Sequence, residues 1–259
     1  MAFPIFVLEG PDNGGKSTLC KALARQCGAE IIHSTYRFKG TMYQYHLAQF
    51  RKALRTAQTK PVVMDRWWPS EVAYGNTYRN GCEYKEMIPY LQSLGSDYWI
   101  SYTWCMPSRW EEYWKWFITH YDQDVEMYAP DEARYHWLWL NYRDMMFDCR
   151  NLNNRSNVMQ YFNVTLEAWR DGNSNKYARY IIARMMDNLR HIATKEEKDL
   201  MNRMAYHWKL VGRVPNNELP EIPDDNENDN QLAEAPKPDN HDGVHTTGYE
   251  GSTQSELPL

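Results

Sequence analysis

The sequence predicts an α/β fold, a three-layer α/β/α arrangement in which helices cover both faces of a parallel sheet. Three observations predict it. Short apolar, β-branched runs alternate along the chain with segments of helical spacing. The first such run passes directly through a glycine-rich turn into a helix. The 259 residues, 42% hydrophobic and 24% charged, are enough for one sizeable core.

The elements follow in chain order. Pro4 to Glu9 reads as a buried strand, and Ser17 to Gln26 as a helix with Leu19, Ala22 and Leu23 on one face. Ile31-Ile32 suggests a second short strand. Thr41 to Thr56 has helical spacing at Tyr43, Leu47, Phe50 and Leu54, and Pro61 to Asp65 reads as a third strand. Tyr84 to Leu94 is helical, bent or split by Pro89. Tyr98 to Cys105, β-branched and aromatic, is a fourth strand. Ser108 to Thr119 is an amphipathic helix that Ser108 and Glu111 can cap. Thr119 to Ala129 is polar without a period, and Pro130 to Arg150 is helical again. Val158 to Phe162 reads as a last strand, Asn175 to Ile192 as a helix and Lys195 to Lys209 as a further one. No internal repeat is visible.

Residues 1–215 therefore read as one domain. Residues 216–259, rich in Asn, Asp, Glu and Pro, read as an acidic disordered tail. The tail holds 11 of the 34 acidic side chains and one of the 29 basic ones, so the body before it is net basic although the whole chain carries −5. A basic body suits anionic substrates in general, and nucleic acid in particular. The five cysteines form no C-x-x-C pair, which argues against a disulfide framework and a zinc knuckle and for a reducing, cytoplasmic setting. Met1 to Pro4 lacks the basic lead of a signal peptide, and no apolar run approaches the length of a membrane span. The sequon at Asn163 is read as a chance match.

Gly10-Pro11-Asp12-Asn13-Gly14-Gly15-Lys16-Ser17 fits G-x-x-x-x-G-K-[ST]. Glycines let backbone N–H groups turn inward around phosphate oxygens, and the following helix adds the positive end of its dipole. Lys16, on an exposed loop, is expected to reach the β and γ phosphates, and the Ser17 hydroxyl to coordinate Mg²⁺, with Thr18 in the first helical turn beside them. The alternative is an accidental glycine-rich turn, but a strand precedes it and a helix follows, as the motif requires. The expected cofactors are ATP and Mg²⁺.

Val62-Val63-Met64-Asp65-Arg66 ends a strand with a carboxylate and a guanidinium. Ligands of a parallel sheet sit at the carboxyl ends of its strands, so Asp65 should face the same crevice as Lys16. There an acid can hold a metal-bound water or accept a proton, and an arginine can clamp a phosphate. A surface ion pair is the plainer alternative.

The wider stretch Asp65-Arg66-Trp67-Trp68-Pro69-Ser70-Glu71-Val72-Ala73-Tyr74 resembles the D-R-[YH]-x-x-S-x-x-A-Y signature of the thymidylate kinase family. Phe6 to Asp12 is similar to that family's opening, and the resemblance covers residues 4–75 well. It implies a P-loop kinase domain transferring a phosphoryl group from ATP. Lys16 and Ser17 would serve ATP and Mg²⁺, and Asp65 would lie near metal and acceptor. Arg66 would contact the reacting phosphates and Asp12 the acceptor sugar, while Ser70 and Tyr74 would shape the acceptor pocket. The chain departs from the pattern where Trp67 replaces Tyr or His and Gly75 replaces Gln. Arg79 is the only arginine between Tyr74 and Tyr98, where the family places one that helps hold a free thymidylate.

A basic lid is expected near 109–128, with Arg109 and Lys115 as candidates and a solvated helix face as the alternative for each. Trp104, Trp110, Trp114 and Trp116 read as core rather than base platform. His120 has no partner spacing and takes no role. The acceptor implied is a pyrimidine deoxynucleotide, in one of two forms. One is free dTMP. The other, favoured by the missing arginine, the basic body and the excess of Trp and Tyr, is 5-hydroxymethyluracil within DNA, the substrate of a bacteriophage branch that resembles thymidylate kinases. A non-catalytic nucleotide-binding switch is the alternative from another class.

The tail generates the first prediction. It has few large apolar side chains with which to offset its ordering entropy. A chain ending at Pro215 should keep a cooperative thermal unfolding transition and its activity. Loss of that transition on truncation would show that the tail packs on the body.

Overall fold

Alternation within the first strand decides how the layers assemble. In β1 (Ile5–Glu9) every residue is buried, with Ile5 and Val7 turned to one face of the sheet and Phe6 and Leu8 to the other. A strand buried on both faces belongs in the middle of a parallel sheet covered by helices on both sides. The computed structural model describes residues 2–33, 41–95, 98–107, 109–122, 128–150, 173–192, 194, 195, 198 and 199. Its sheet has the order β2-β3-β1-β4, all parallel, with β2 (Glu30–His33), β3 (Val62–Asp65) and β4 (Ile100–Trp104).

One face packs Phe6, Leu8 and Val63 against α1 (Lys16–Cys27) and α7 (Ser174–Ile192). The other packs Ile5, Val7, Val62, Met64, Ile100, Tyr102 and Trp104 against α2 (Met42–Thr56), α3 (Trp68–Tyr78), α5 (Trp110–Thr119) and α6 (Glu132–Arg150). This is the three-layer α/β/α fold expected from the sequence. Trp104 is fully buried, and Trp110, Trp114 and Trp116 pack partly buried against the same core, as expected of core residues.

Local signals account for the helix ends. Gly28 stops α1 with φ 67°, a left-handed conformation that glycine adopts without a Cβ penalty. Thr41 and Gln44 cap α2 reciprocally, at 3.2 and 3.4 Å. Pro89 falls in the first turn of α4 (Ile88–Leu94), behind a 3₁₀ turn at Lys85–Met87, so the expected Tyr84–Leu94 helix is split as its proline required. Helix α5 starts at Trp110, with Arg109 in the cap position and no side-chain bond from it, and the expected cap residue Ser108 lies outside the described residues. The Val158–Phe162 strand, most of the Lys195–Lys209 helix and the 216–259 tail also lie outside them. Among the described residues, no helix is long and apolar enough to cross a membrane.

Helix α3 was not read from the sequence. Residues 68–75 are all buried, so the segment has no polar face and no amphipathic period. It is held along α6, which presents Tyr135, Leu138, Trp139 and Tyr142 at helical spacing. Trp67 and Gly75, the two departures from the thymidylate kinase signature, have packing roles of their own. Trp67 is 1% exposed and stacks on Phe50, ring centroids 4.0 Å apart, deep in the core. Gly75 lets the chain double back over the end of α3, because a Cβ there would lie 2.5 Å from the Gly81 carbonyl oxygen and 2.9 Å from the Cys82 Cα.

Gly75→Ala should therefore destabilise the protein by about 1–3 kcal/mol, the usual cost of overpacking against backbone. Chemical denaturation checks this, and a variant as stable as the parent would show that the 79–82 turn moves freely.

Candidate active site

Adjacent parallel strands bring the two sequence motifs together. β1 runs into the glycine-rich loop and its neighbour β3 ends at Asp65, Leu8 pairing with Asp65 in register. The loop then lies against the end of β4. A Cβ on Gly14 would approach the Cys105 carbonyl oxygen to 2.8 Å, and one on Gly10, where φ is 138°, would collide with the same oxygen. These glycines are needed for packing within the protein as well as for any bound group. Asn13 takes φ 55°, which asparagine tolerates, and Gly15 takes φ 82° immediately before α1, which opens with no side-chain cap.

Lys16 corrects the sequence expectation. It is 6% exposed rather than held on an open loop, and its Nζ donates to the Pro11 carbonyl at 2.5 Å. Burial, and then the nearby Arg66 cation, lower its pKa, against opposing contributions from Asp12 and Asp65. An anion placed in the loop would relieve the crowding of these two cations. Ser17 Oγ donates to Asp65 Oδ2 at 3.0 Å, which gathers two hard oxygens of the kind Mg²⁺ prefers. Thr18 is exposed in the first turn. The uncapped helix start, the buried lysine and this oxygen pair together fit a magnesium–triphosphate group.

On the other side of the loop, Asp12 and Arg66 form a buried ion pair. Arg66 Nη2 donates to Asp12 Oδ1, and Tyr74 OH donates to Asp12 Oδ2. Tyr113 OH donates to the Asp12 carbonyl at 2.8 Å. Burial would raise the Asp12 carboxyl, but the charges of Arg66 and Lys16 and the hydrogen bonds outweigh it and hold the pKa below its ordinary value. Arg66 also lies over the Tyr74 ring, 5.1 Å from its centroid. Its φ of 73° is a left-handed conformation that costs a non-glycine residue of order 1 kcal/mol.

A chain of hydrogen bonds leads from Arg66 into the core. Arg66 Nη1 donates to Tyr142 OH at 2.8 Å, and Tyr142 OH and Ser70 Oγ are 2.7 Å apart. Ser70 Oγ donates to Glu9 Oε2 at 2.5 Å, and the Trp67 N–H donates to Glu9 Oε1 at 2.6 Å. Ser70 is thus placed as an internal strut, while Tyr74 faces Asp12.

Beside Asp12, Tyr78 and Tyr128 stack with centroids 3.8 Å apart and Tyr74 packs near both. Arg79 turns away to Glu71 at 2.8 Å. Of the lid candidates, Arg109 pairs with Glu112 at 3.3 Å on an exposed face, and Lys115 is exposed on the same helix. Sequence reasoning missed Glu9, His33, Tyr113 and Tyr142. The tyrosines lie 101 and 76 residues from their partners in the chain, with no motif to link them.

No protein-family model matches the chain, and no curated protein matches it. Its structure is similar to that of the YorR protein of Bacillus subtilis in complex with phosphorylated GDP, at 16% identity and a TM-score of 0.53, covering 73% of this chain and 99% of that one. Lower similarities run to deoxyadenosine kinase of M. mycoides with bound dATP (13% identity, 67% of this chain, 98% of that one, TM-score 0.44) and to thymidylate kinase of Ehrlichia chaffeensis (15%, 68%, 98%, 0.39). What the chain shares with the first of these is the fold, a parallel sheet covered by helices on both faces.

Glu9 supplies a test of the buried network. Burial pushes its carboxyl from the ordinary 4.5 up to about 8. Folding thus favours the protonated form, a contribution fully present below about pH 4.5 and lost as pH rises through about 8. Glu9→Gln, whose amide can donate to Ser70, should flatten the fall in unfolding free energy across that window. Urea denaturation at a series of pH values reads the slope. Equal slopes in both proteins would show that Glu9 ionises normally.

Proposed function

We propose that this protein is an ATP-dependent kinase of pyrimidine deoxynucleotides. The observation that carries the reading is the convergence, at the carboxyl edge of one parallel sheet, of Lys16, the Ser17–Asp65 oxygen pair and the buried Asp12–Arg66 pair. A fold shared with a protein solved with a phosphorylated guanine nucleotide is compatible with it.

In this reading the loop amides of residues 10–18 and the start of α1 bind the triphosphate, and Lys16 leaves Pro11 to meet the transferring group. Ser17 and Asp65 would hold Mg²⁺, which would supply charge neutralisation to the triphosphate. Arg66, oriented by Asp12 and Tyr142, offers its guanidinium to the phosphoryl group in flight. Catalysis of this type is mostly positioning and electrostatic stabilisation, so the rigidity of these side chains matters more than any covalent step. Asp12 and Tyr74 border the acceptor, and Ser70 braces Arg66 from beneath through Tyr142.

The favoured acceptor is 5-hydroxymethyluracil within DNA. Arg79, the one arginine between Tyr74 and Tyr98, is engaged by Glu71, and the cluster of Tyr74, Tyr78 and Tyr128 beside Asp12 makes that side of the crevice aromatic, which suits a base better than a phosphate. A hydroxymethyl group must lose its proton as it attacks, and in this reading Asp65 takes it. The second reading, a dTMP kinase, is favoured by Arg66 as a cation on the acceptor side.

The deciding experiment offers γ-labelled ATP with dTMP and with DNA containing 5-hydroxymethyluracil. The expected outcome is label on the DNA, with substrate affinity falling steeply as salt rises. Asp65→Asn should lower the transfer rate by roughly 10²-fold or more while ATP still binds, and Lys16→Ala should abolish transfer. Label on dTMP alone with a shallow salt response selects the second reading. Binding of ATP without transfer to either acceptor overturns the kinase assignment in favour of a nucleotide-binding switch.

A further inference from the structure

β2 ends at the same edge of the sheet as β3, and the pairing register sets His33 directly opposite Asp65. Neighbours in such a register stand about 5 Å apart, with side chains on the same face of the sheet. His33 Nδ1 lies 3.2 Å from Asp65 Oδ2, the oxygen that also accepts from Ser17 Oγ. A carboxylate oxygen accepts, so in this contact the ring nitrogen donates. The carboxylate is thereby held by donors from two sides, one on α1 and one on β2, and both bonds fall on one oxygen. A short aspartate at a strand end has two torsions to fix, and two donors on one oxygen fix them and leave the orientation of Oδ1 determined. His33 is itself 48% exposed, so it contributes little to the core; what it touches is the site.

We propose that His33 is a positioning residue for the metal-holding carboxylate: it locks Asp65 in the orientation that, with Ser17, receives a divalent cation bound to the nucleotide. The inference rests on the metal role given to Asp65 above, and it adds a residue that neither the loop motif nor the Asp65-Arg66 motif contains. Outer partners of metal-binding carboxylates restrict the ligand to its binding geometry before the metal arrives, and their loss weakens metal binding by about 10–100-fold. The effect should therefore appear in cation affinity and leave the binding of metal-free nucleotide unchanged.

Binding of Mn²⁺ to the full-length protein, followed by electron paramagnetic resonance in the presence of saturating adenylyl imidodiphosphate, tests this without turnover. His33→Ala should weaken Mn²⁺ binding by about 10-fold or more. His33→Asn, whose amide N–H can donate from nearly the same place, should restore it to within about threefold of the parent, since one donor replaces another. Thermal unfolding of both variants should match the parent. Unchanged Mn²⁺ affinity in His33→Ala, with the expected loss in Asp65→Asn, overturns the inference and leaves the metal role of Asp65 standing. Equal weakening in His33→Ala and His33→Asn overturns positioning in favour of direct contact between the ring and the bound group. Mn²⁺ affinity insensitive to Asp65→Asn removes the premise along with the inference.

Discussion

The buried pair of Asp12 and Arg66 is the interaction on which the arrangement of the site depends. Its side chains are 10% and 13% exposed, so both charges have given up most of their water. Such a pair is tolerable only when each partner is further satisfied, and here each is. Tyr74 and Tyr113 bond to Asp12, and Tyr142 bonds to Arg66. The glycine-rich loop, the exit of β3 and helices α3, α5 and α6 therefore meet at one ion pair. Removing either charge would leave the other buried and uncompensated, a loss of about 3–5 kcal/mol. The left-handed backbone at Arg66 is a smaller strain held in place by the same network.

The sheet order makes this meeting possible. β1 at the centre delivers the loop, β3 on one side delivers Asp65 and Arg66, and β4 on the other supplies the Cys105 backbone against which Gly10 and Gly14 lie. Glu9, last residue of β1, ties the base of the loop to the start of α3 through Trp67 and Ser70. Because Ser70 continues through Tyr142 to Arg66, the glycine-rich loop and the Arg66 side of the crevice are joined below the surface as well as across it. In the proposed phosphoryl transfer the two reactants would have to be held in line, and a rigid shared floor of this kind is one way to hold them.

What could be read in advance follows from where each signal resides. The loop, β1, β3 and the Asp65-Arg66 end are local in sequence, and they stand where they were expected. Helices α2 and α7 show the period of a one-sided helix, and they and α6 match to within a residue or two. Helix α3 is buried on all sides along 68–75 and has no period to show, so its residues were legible as a motif but not as a helix. Trp67 and Gly75 stand out in the sequence only as departures from a signature; in the structure Trp67 fills the core against Phe50 and Gly75 admits the turn at Gly81. The burial of Lys16 escaped notice because a loop motif does not reveal what packs on top of it. His33, Tyr113 and Tyr142 required tertiary structure: a strand register in the first case, and helices folding back over the loop in the others.

The central claim is that residues 10–18 enclose a triphosphate at the edge of the sheet shared with Asp65 and Arg66. Amide hydrogen exchange of the full-length protein, with and without Mg²⁺ and adenylyl imidodiphosphate, tests it most directly. The account requires slower exchange on binding across residues 10–18 and at 65–66, with the far ends of the strands unchanged. Saturable nucleotide binding that leaves exchange in the loop untouched would contradict it.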